Sequence, residues 1–417
     1  MDKIVIVGGK RLNGKVTVGG AKNAVLPVMA ATLLSPDTYK ITRVPDLLDT
    51  RTMIRLLKII GAEVSFENNV LIVDTRKCEH PEAPYGLVKT MRASFYVLGP
   101  LLSRFGYAKV SLPGGCAWGP RPVNFHVDAM RILGAEVNLA EGYIIAKSKQ
   151  LKGSRIKFEV SSVGATGNAL MAAVKAKGVT VIENAAREPE ITCLCDFLNK
   201  MGANISGIGT HKLTVQGVEE LYGIKFEVIP DRIEAATFLI AGAMIGDKIN
   251  IRGINVRHLE NVLDKLRDVG CQIIEQKDQV TISGGEIILP RSIKTGVYPG
   301  FPTDLQAQWM ALMVLAQGTS LITDTIYQDR FTHIAELNRL GAKITLDQNT
   351  ATVTGQLKLK GAPVMSTDIR ASASLILVAL AAKGRTDISR IYHIDRGYEK
   401  IVEKFKQLGA DIWREKE

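Results

Sequence analysis

One short pattern recurs six times along the 417 residues of this chain. In each copy an apolar residue precedes a glycine, and Val or Ile follows three positions after that glycine. Successive glycines lie 68 to 73 residues apart, and they are Gly61, Gly134, Gly202, Gly270, Gly341 and Gly409. Repeated units bury their cores against one another, so the pattern predicts six copies of one supersecondary unit.

The residues before each glycine predict an amphipathic helix. In the fourth copy the apolar residues are Leu259, Val262, Leu263, Leu266 and Val269, and the third and sixth copies have the same offsets. This spacing places the apolar residues on one face of an α-helix. The glycine then ends the helix, because a left-handed backbone conformation costs glycine little.

A β-hairpin, a short strand and an alanine-rich helix complete each predicted unit. After the fifth glycine, the segment Ala342–Gly355 alternates apolar and polar residues around a central turn, which predicts a hairpin. Alanine-rich helices are predicted earlier in the units, for example at Ala24–Leu34, Ala307–Ala316 and Ala371–Ala382. Each unit is therefore predicted as helix, strand, helix and hairpin.

The length and the truncated sixth unit predict how the chain divides. Single hydrophobic cores stop growing at about 250–300 residues, so six repeats divide naturally into three plus three. The sixth unit ends before a returning strand, and an unpaired edge strand is unfavourable. We expect Lys3–Val7 to supply that strand. The predicted domains are residues 22–230, which form an inserted domain, and residues 1–21 joined to 231–417.

The composition favours a soluble globular protein, with 46% hydrophobic and 23% charged residues. Apolar runs such as Trp309–Ala316 are far shorter than the ~20 residues that span a bilayer, and the first residues do not resemble a signal peptide. The five cysteines show no pairing or metal-binding pattern, which favours a reducing cytoplasm. We therefore expect a cytoplasmic protein that does not bind a membrane.

The net charge of +11 predicts an anionic ligand. Lys and Arg are dispersed along the chain and form no basic block of the kind that binds nucleic acid. A small, multiply anionic ligand is therefore favoured over nucleic acid.

The predicted alanine-rich helices begin with cations, which is locally unfavourable. A cation in the first turn opposes the helix macrodipole by about 0.3–1 kcal/mol. The cations are Lys22, Lys89, Arg92, Arg232 and Arg370. Helix N-termini and basic side chains together bind anions well, so we expect a cleft between the domains that receives phosphate or carboxylate groups. Acidic residues at the same starts, such as Asp231 and Asp368, have a simpler explanation as N-caps.

Cys116 lies in a segment, Ser111–Pro122, with three glycines and three prolines, which predicts an irregular surface loop. A thiol near Arg121 would have a lowered pKa and be reactive, although a free cysteine without a role is the alternative. His126 occupies an apolar position of its helix, and we favour a packed histidine over a catalytic one there.

Several motifs resemble those of the UDP-N-acetylglucosamine enolpyruvyl transferases, within the enolpyruvyl transferase family. They include Gly-Gly-Ala-Lys22-Asn23, Lys89-Thr-Met-Arg92, Gly-Gly-Cys116 to Arg121-Pro122-Val123, Ser162-Val163-Gly164, Phe-Pro-Thr-Asp304, Thr-Asp368-Ile-Arg370 and His393-Ile-Asp-Arg396. The resemblance covers the whole chain. It implies a two-domain, inside-out α/β barrel of six βαβαββ-type repeats, three in each domain.

The resemblance also implies a reaction. The enolpyruvyl group of phosphoenolpyruvate is transferred to the 3′-hydroxyl of UDP-N-acetylglucosamine and phosphate is released, which is the first committed step of peptidoglycan synthesis. By resemblance, Cys116 is the general acid and also forms a covalent adduct with phosphoenolpyruvate, while Asp304 is the general base. Lys22 and Arg396 complete the expected catalytic residues. No metal or cofactor is implied.

The resemblance assigns binding roles as well. Lys22, Arg121 and Arg396 would hold the phosphate and carboxylate of phosphoenolpyruvate, with Arg92 and Arg370 nearby. Asn23 and Asp304 would contact the sugar. The uridine pocket would comprise Arg121, Pro122, Val123, Asn124 and Phe125. Ser162, Val163 and Gly164 would hold the diphosphate, Ile326 would pack beside the nucleotide, and Asp368 is a further expected substrate contact. An epoxide phosphonate inhibitor is expected to react with Cys116, and the protein is expected to be a monomer.

Two alternatives remain at this point. One is the related transferase that acts on shikimate 3-phosphate, against which the Gly-Gly-Cys116 loop and Arg121-Pro122-Val123 argue. The other is a non-catalytic relative that only binds UDP-N-acetylglucosamine.

Overall fold

The computed structural model describes residues 2–112, 123–356 and 358–416. The chain divides into two compact units. We call Gly20–Ile229 the inserted unit, and we call Met1–Gly19 together with Pro230–Glu417 the terminal unit.

Two α-helices belong to each repeat, and their bounds follow the predicted pattern. The first helices are Lys22–Ala31, Leu98–Phe105, Val163–Ala173, Arg232–Ile245, Gln306–Met313 and Ile369–Ala381. The second helices are Leu48–Ile60, Asn124–Ile132, Pro189–Lys200, Glu260–Asp268, Ile334–Arg339 and Ile401–Gln407. A further short α-helix is Tyr85–Val88, and 3₁₀ segments are Thr32–Leu34, Arg92–Val97, Val256–Leu259, Thr303–Leu305 and Ile391–Arg396.

The six repeat glycines end the second helices as predicted. Each has a positive φ, between 92° and 110°, which is the left-handed region that favours glycine. The apolar stripes before them are buried in the third, fourth and sixth repeats alike. The helix prediction and the reason for the glycines are therefore confirmed.

Three four-stranded sheets form within the described part of the inserted unit. In spatial order their strands are Lys225–Glu227, Thr38–Thr42, Val70–Asp74 and Glu63–Glu67; Glu82–Ala83, Tyr107–Ser111, Tyr143–Lys147 and Glu136–Ala140; and Arg155–Lys157, Val179–Glu183, Lys212–Gln216 and Asn204–Ser206. In each sheet the first strand pairs parallel with the second, and the remaining pairs are antiparallel.

The described part of the terminal unit also contains three four-stranded sheets. Their strands are, in order, Leu12–Thr17, Gly246–Arg252, Gln279–Ser283 and Gln272–Glu275; Ile293–Lys294, Thr319–Thr323, Thr350–Thr354 and Lys343–Asp347; and Pro363–Met365, Gly384–Ser389, Asp2–Gly8 and Asp411–Lys416. The predicted hairpin in the fifth repeat is present as Lys343–Asp347 and Thr350–Thr354.

The N-terminal strand completes the sheet of the last repeat. Asp2–Gly8 pairs antiparallel with Asp411–Lys416 on one side and with Gly384–Ser389 on the other. The spare strand predicted at Lys3–Val7 therefore occupies the position that a returning hairpin strand fills in other repeats, and it protects the edge that would otherwise be exposed.

Helices lie inside the sheets in each unit. Nearly every residue of the first helices Lys22–Ala31, Val163–Ala173 and Ile369–Ala381 is buried. The strands alternate buried and exposed residues, for example along Thr38–Thr42, so one face of the sheet is covered and the other meets solvent. Alanine suits these helices because small side chains allow close packing on all sides. The buried cations Lys22 and Arg370 at two of the helix starts therefore lie against a largely apolar interior.

Candidate functional site

Lys22 begins the first helix of the inserted unit without a capping side chain. Its side chain is 11% exposed, and its Nζ lies 3.2 Å from Oδ2 of Asp49. Asp49 is 4% exposed and lies in the first turn of Leu48–Ile60, where the helix macrodipole favours a carboxylate. The carboxylate of Asp49 offsets the unfavourable position of the Lys22 ammonium, so the two form a buried ion pair at a helix start. Asn23 is half-buried at the next position.

Arg92 begins a 3₁₀ segment and influences His126. Arg92 is half-buried, and His126 is 8% exposed in the helix Asn124–Ile132. Burial, and secondarily the charge of Arg92, lowers the pKa of His126 from 6.5 to about 3. His126 is therefore neutral near pH 7 and is a poor proton acceptor there.

A buried amide holds the imidazole of His126 in place. Asn168 is fully buried, and its Nδ2 lies 2.8 Å from Nδ1 of His126 and donates to the carbonyl of Phe95 at 3.0 Å. The ring of Phe95 lies edge-on to the imidazole, with centroids 5.0 Å apart. A Cβ added at Gly164 would lie 3.1 Å from Cε1 of His126. These contacts support the packed role of His126 and explain why a glycine follows Val163.

Ser162, Val163 and Gly164 form the start of the third repeat's first helix. Ser162 is the N-cap, and its Oγ accepts a hydrogen bond from the N–H of Ala165 at 3.3 Å. The first N–H groups of a helix lack intrahelical partners and attract anions. The structure therefore gives Ser162 a capping role and places the predicted diphosphate residues where a helix favours negative charge.

Residues 123–125 begin the helix that carries His126. Val123 is the N-cap residue of Asn124–Ile132 and is half-buried, as is Phe125, whereas Asn124 is exposed. Val123 and Phe125 pack against the core of the inserted unit, and the ring of Phe125 lies 6.3 Å from that of Phe158. Two of these predicted uridine residues are thus anchored in the core.

Asp304 is held between two arginines in the terminal unit. Its Oδ1 accepts from Nη2 of Arg330, and its Oδ2 accepts from Nη2 of Arg370, both at 2.7 Å. The side chains of Arg330 and Arg370 are 10% and 8% exposed, and that of Asp304 is 25% exposed. Charge-assisted hydrogen bonds of this kind are stronger than neutral ones, so the carboxylate is fixed in position.

The arginines determine the ionisation of Asp304. Burial alone would raise the pKa of this carboxyl, but Arg370 and Arg330 hold it well below its usual range. Burial alone would lower the pKa of Arg370, but Asp304 raises it above its ordinary value. Asp304 is therefore fully ionised at neutral pH, and it becomes a strong proton acceptor only when the charge of an arginine is compensated elsewhere.

Asp368 caps the helix that carries Arg370. Its Oδ1 accepts from the N–H groups of Arg370 and Ala371 at 2.7 and 3.2 Å. The structure thus gives this predicted substrate contact a capping role, in agreement with the simpler explanation available from sequence. Asp231 caps Arg232–Ile245 in the same way.

Arg396 ends a 3₁₀ segment of the terminal unit, and Ile326 lies in a loop of the same unit. Arg396 is half-buried at the end of Ile391–Arg396, near His393, whose pKa it lowers together with a larger contribution from burial. The N–H of Ile326 donates to Oδ1 of Asp324 at 2.9 Å. Both predicted binding residues therefore lie beside ionisable side chains, His393 and Asp324.

The prediction for Lys89 is wrong. Lys89 follows the short helix Tyr85–Val88 as its C-cap residue, and the next segment begins only at Arg92. A cation at the C-terminal end of a helix is favourable. The Nζ of Lys89 also lies 5.1 Å from the ring centroid of Tyr85, so this lysine does not carry the electrostatic cost that the sequence pattern suggested.

Asp49 and Arg330 were not predicted from sequence, although the repeat contains a signal for them. Asp49 follows Lys22 by 27 residues, and Arg330 follows Asp304 by 26. Arg396, which was predicted, follows Arg370 by the same 26 residues. A charged residue at this offset lies at or just before the start of the second helix in the first, fifth and sixth repeats. Aligning these three repeats at that point identifies Asp49 and Arg330.

Three predicted residues lie outside the described part of the chain. They are Cys116, Arg121 and Pro122. Among residues 2–112, 123–356 and 358–416, no group of three His, Cys, Asp or Glu side chains is arranged to hold a metal ion. Within the same ranges, every helix is too short or too polar to cross a membrane.

Comparison with known proteins identifies the relatives of this chain. The family model described as EPSP synthase (3-phosphoshikimate 1-carboxyvinyltransferase) matches residues 6–405. A UDP-N-acetylglucosamine 1-carboxyvinyltransferase from Chlorobaculum parvum is 56% identical over 100% of this chain and 99% of that protein.

Solved structures show the same fold. The enolpyruvyl transferase NikO from Streptomyces tendae superposes with a TM-score of 0.91 at 27% identity, over 99% of this chain and 98% of NikO. An EPSP synthase from Acinetobacter baumannii has a TM-score of 0.75 at 17% identity, with both chains covered completely. The predicted inside-out α/β barrel built from repeats is confirmed.

Proposed function

This chain belongs to the EPSP synthase family, and we propose that it transfers the enolpyruvyl group of phosphoenolpyruvate to the 3′-hydroxyl of UDP-N-acetylglucosamine with release of phosphate. The chain is a transferase that serves peptidoglycan synthesis. The single observation that carries the choice of acceptor is the full-length, 56% identity to an enzyme named for that sugar nucleotide.

The proposed mechanism is addition followed by elimination. The sugar hydroxyl oxygen bonds to C2 of phosphoenolpyruvate while Asp304 accepts the hydroxyl proton, and Cys116 gives a proton to C3. A proton then leaves the new methyl group, the double bond re-forms, and the bond between C2 and the phosphate oxygen breaks. General acid and base catalysis of this kind contributes about 10²–10⁴-fold each.

The charged residues have separate roles in this proposal. Lys22, Arg121 and Arg396 bind the phosphate and carboxylate of phosphoenolpyruvate, and Arg92 and Arg370 add positive charge. Arg370 donates a hydrogen bond to Asp304. An anionic substrate that attracts the guanidinium of Arg370 therefore reduces the positive charge that acts on the carboxylate of Asp304. The pKa of Asp304 then rises toward its usual range, and the carboxylate becomes a better base when substrate is bound.

The remaining residues bind the sugar nucleotide. Asn23 and Asp304 contact the sugar, and the N-terminus that begins with Ser162, Val163 and Gly164 holds the diphosphate. The uridine is held by Arg121, Pro122, Val123, Asn124 and Phe125, with Ile326 packed beside it, and Asp368 supports Arg370 from the helix cap. The protein acts as a cytoplasmic monomer without a metal or cofactor.

Phosphate release tests the function. The protein is incubated with phosphoenolpyruvate and either UDP-N-acetylglucosamine or shikimate 3-phosphate, and phosphate is measured over time. We expect release only with the sugar nucleotide. Release only with shikimate 3-phosphate would favour the activity in the family description, and tight sugar-nucleotide binding without release would favour a non-catalytic relative.

Cys116 is tested separately. We expect Cys116→Ser to lose turnover and to keep the wild-type circular dichroism spectrum, because the serine hydroxyl is a much weaker acid. Intact mass measurement after exposure to a small epoxide phosphonate should show one adduct on the wild type and none on this variant. Normal turnover by Cys116→Ser would show that the acid is another group.

A further inference from the structure

Arg330 connects Asp304 to a buried carboxylate that the proposed mechanism does not use. Arg330 is 8% exposed. Its Nη2 donates to Asp304, and its Nη1 donates to Oγ1 of Thr303 at 3.0 Å. Thr303 in turn donates through its Oγ1 to Oδ2 of Asp324 at 2.7 Å. A continuous chain of hydrogen bonds therefore runs from Asp324 to Asp304.

Both carboxylate oxygens of Asp324 accept hydrogen bonds from neighbouring groups. It is fully buried directly after the strand Thr319–Thr323. Its Oδ1 accepts from Oγ1 of Thr295 at 2.8 Å and from the N–H groups of Ile326 and Tyr327 at 2.9 Å. A buried carboxylate that is fully hydrogen-bonded makes its surroundings rigid, so Asp324 fixes the loop that leads to Arg330.

The carboxylate of Asp324 binds two segments that contain residues of the proposed site. One is the turn that carries Thr303 and Asp304, and the other is the loop that carries Ile326. The guanidinium of Arg330 also lies 5.5 Å from the ring centroid of Tyr327, which restricts its orientation. The position of the Arg330 guanidinium is therefore determined by its hydrogen bonds to Thr303 and Asp304 and by the ring of Tyr327.

We propose that Arg330 is a positioning residue for the carboxylate of Asp304, and that Asp324 holds Arg330 in place through Thr303. The inference rests on the proposed role of Asp304 as the base.

The charges around Asp304 allow a pH test. Asp304 faces Arg330 and Arg370. Asp231 and Tyr398 lie close enough to Arg370 to influence its ionisation, and His333 is similarly close to Arg330. Removing the charge of Arg330 leaves one of the two arginines beside Asp304. The pKa of Asp304 then rises, so Asp304 becomes protonated at a higher pH.

The first experiment uses Arg330→Met in the full chain, with Arg339→Met as the matched control. Arg339 belongs to the same unit but is 57% exposed and lies 3.8 Å from Glu336. The pH dependence of kcat is measured by phosphate release at saturating substrates. We expect the acidic limb of Arg330→Met to lie at least one pH unit above that of the control, which is a tenfold change in relative kcat along the limb. Coincident limbs would overturn the inference.

The second experiment remains informative if Arg330→Met fails to fold. Thr303→Val removes the hydroxyl that joins Asp324 to Arg330, and Thr303→Ser keeps it. We expect kcat to fall at least fivefold in Thr303→Val and to stay within twofold of wild type in Thr303→Ser. Equal values for these two variants would contradict the link through Thr303.

Failure of the proposed function gives a different result. If Asp304→Asn keeps full turnover, Asp304 is not the base and the inference fails with that assignment. If Asp304→Asn loses turnover while Arg330→Met keeps the control's pH profile, only the positioning role of Arg330 is wrong.

Discussion

The inserted unit and the terminal unit place opposite charges at equivalent helix starts. In the inserted unit the cation Lys22 is paired with Asp49, which lies 27 residues later. In the terminal unit the anion Asp304 is paired with Arg330, which lies 26 residues later. Both units therefore form a charged pair at similar positions of the repeat, whereas the individual residues determine which member of the pair is the cation.

The two clusters also differ in the geometry of the ion pairs that the structure describes. Lys22 has an ion pair to one carboxylate at 3.2 Å, whereas Asp304 lies between two guanidinium groups at 2.7 Å each. A carboxylate between two arginines is held as an ion. In the proposed reaction, Lys22 of the inserted unit binds substrate and Asp304 of the terminal unit is the base.

Asp304→Asn should have the largest effect on activity. The amide cannot accept the hydroxyl proton, so we expect kcat to fall by about 10²–10⁴-fold. The neutral amide also removes the carboxylate that pairs with two buried arginines, so the thermal unfolding temperature should fall too. Phosphate release and circular dichroism measure the two effects. An activity within threefold of wild type would show that the two clusters do not differ in the way proposed.

Asp49→Asn should have the next largest effect. Breaking a buried ion pair by neutralising one partner costs about 3–5 kcal/mol, because it removes the charge that stabilises the other partner. We expect a corresponding loss of stability in denaturant and a raised KM for phosphoenolpyruvate, because Lys22 is no longer held in place.

Glu63→Gln is the control for Asp49→Asn. Glu63 pairs with Lys77 at 2.7 Å in the same unit, but the two side chains are 65% and 78% exposed. Exposed pairs contribute about 0–1 kcal/mol. Equal destabilisation by Asp49→Asn and Glu63→Gln would contradict the buried character of the Lys22 pair.

Each unit contains a buried histidine that should make its stability sensitive to acid. Burial lowers the pKa of His126 to about 3 in the inserted unit and that of His333 to about 4 in the terminal unit. The unfolded chain binds these protons near pH 6.5, so stability is complete above that pH and falls as pH decreases toward the folded pKa. The loss per histidine is at most about 1.4 kcal/mol per pH unit.

Variants of the histidines sharpen this comparison. We expect His126→Gln to reduce the slope of unfolding free energy against pH between about 6.5 and 3, and His333→Gln to do so between about 6.5 and 4. Urea unfolding at several pH values measures the slopes. Unchanged slopes in both variants would mean that the histidines are not the source of the acid sensitivity.

Matched glycine variants should have the smallest effect. Gly134 in the inserted unit and Gly409 in the terminal unit both have φ of 92°, and a Cβ at either would meet no atom within 4 Å. Replacement by Ala should therefore cost only the left-handed backbone, about 1–2 kcal/mol in each unit. Very different losses in the two variants would show that the repeats are less equivalent than their glycines indicate.

The fold was largely predictable because the apolar residues of the repeats follow the periodicity of their helices and strands. Leu259 to Val269 shows a helical stripe, Gly270 ends it, and Ala342–Gly355 shows the alternation of a hairpin. These signals are local, and the structure confirms all three. The strand at the N-terminus was predictable because the sixth repeat lacks one.

The site was predictable only in part, because charge pairing depends on tertiary contacts. Lys22 and Asp304 can be identified from sequence as polar residues at helix starts. Their partners, however, lie 26–27 residues away in a different segment. Lys89 was misjudged because the short helix before it has no strong pattern of its own. The pairing of Arg330 with Asp304 emerges only when the repeats are aligned to each other.

We propose that Lys22 and Asp304 both act in the transfer of the enolpyruvyl group to UDP-N-acetylglucosamine. The most direct measurement follows ¹³C-labelled phosphoenolpyruvate by NMR in the presence of both UDP-N-acetylglucosamine and shikimate 3-phosphate, using the wild type, Lys22→Gln and Asp304→Asn. We predict that the wild type attaches the label to the sugar nucleotide alone and that both variants lose this product. Label on shikimate 3-phosphate, or wild-type product formation by either variant, would contradict the account.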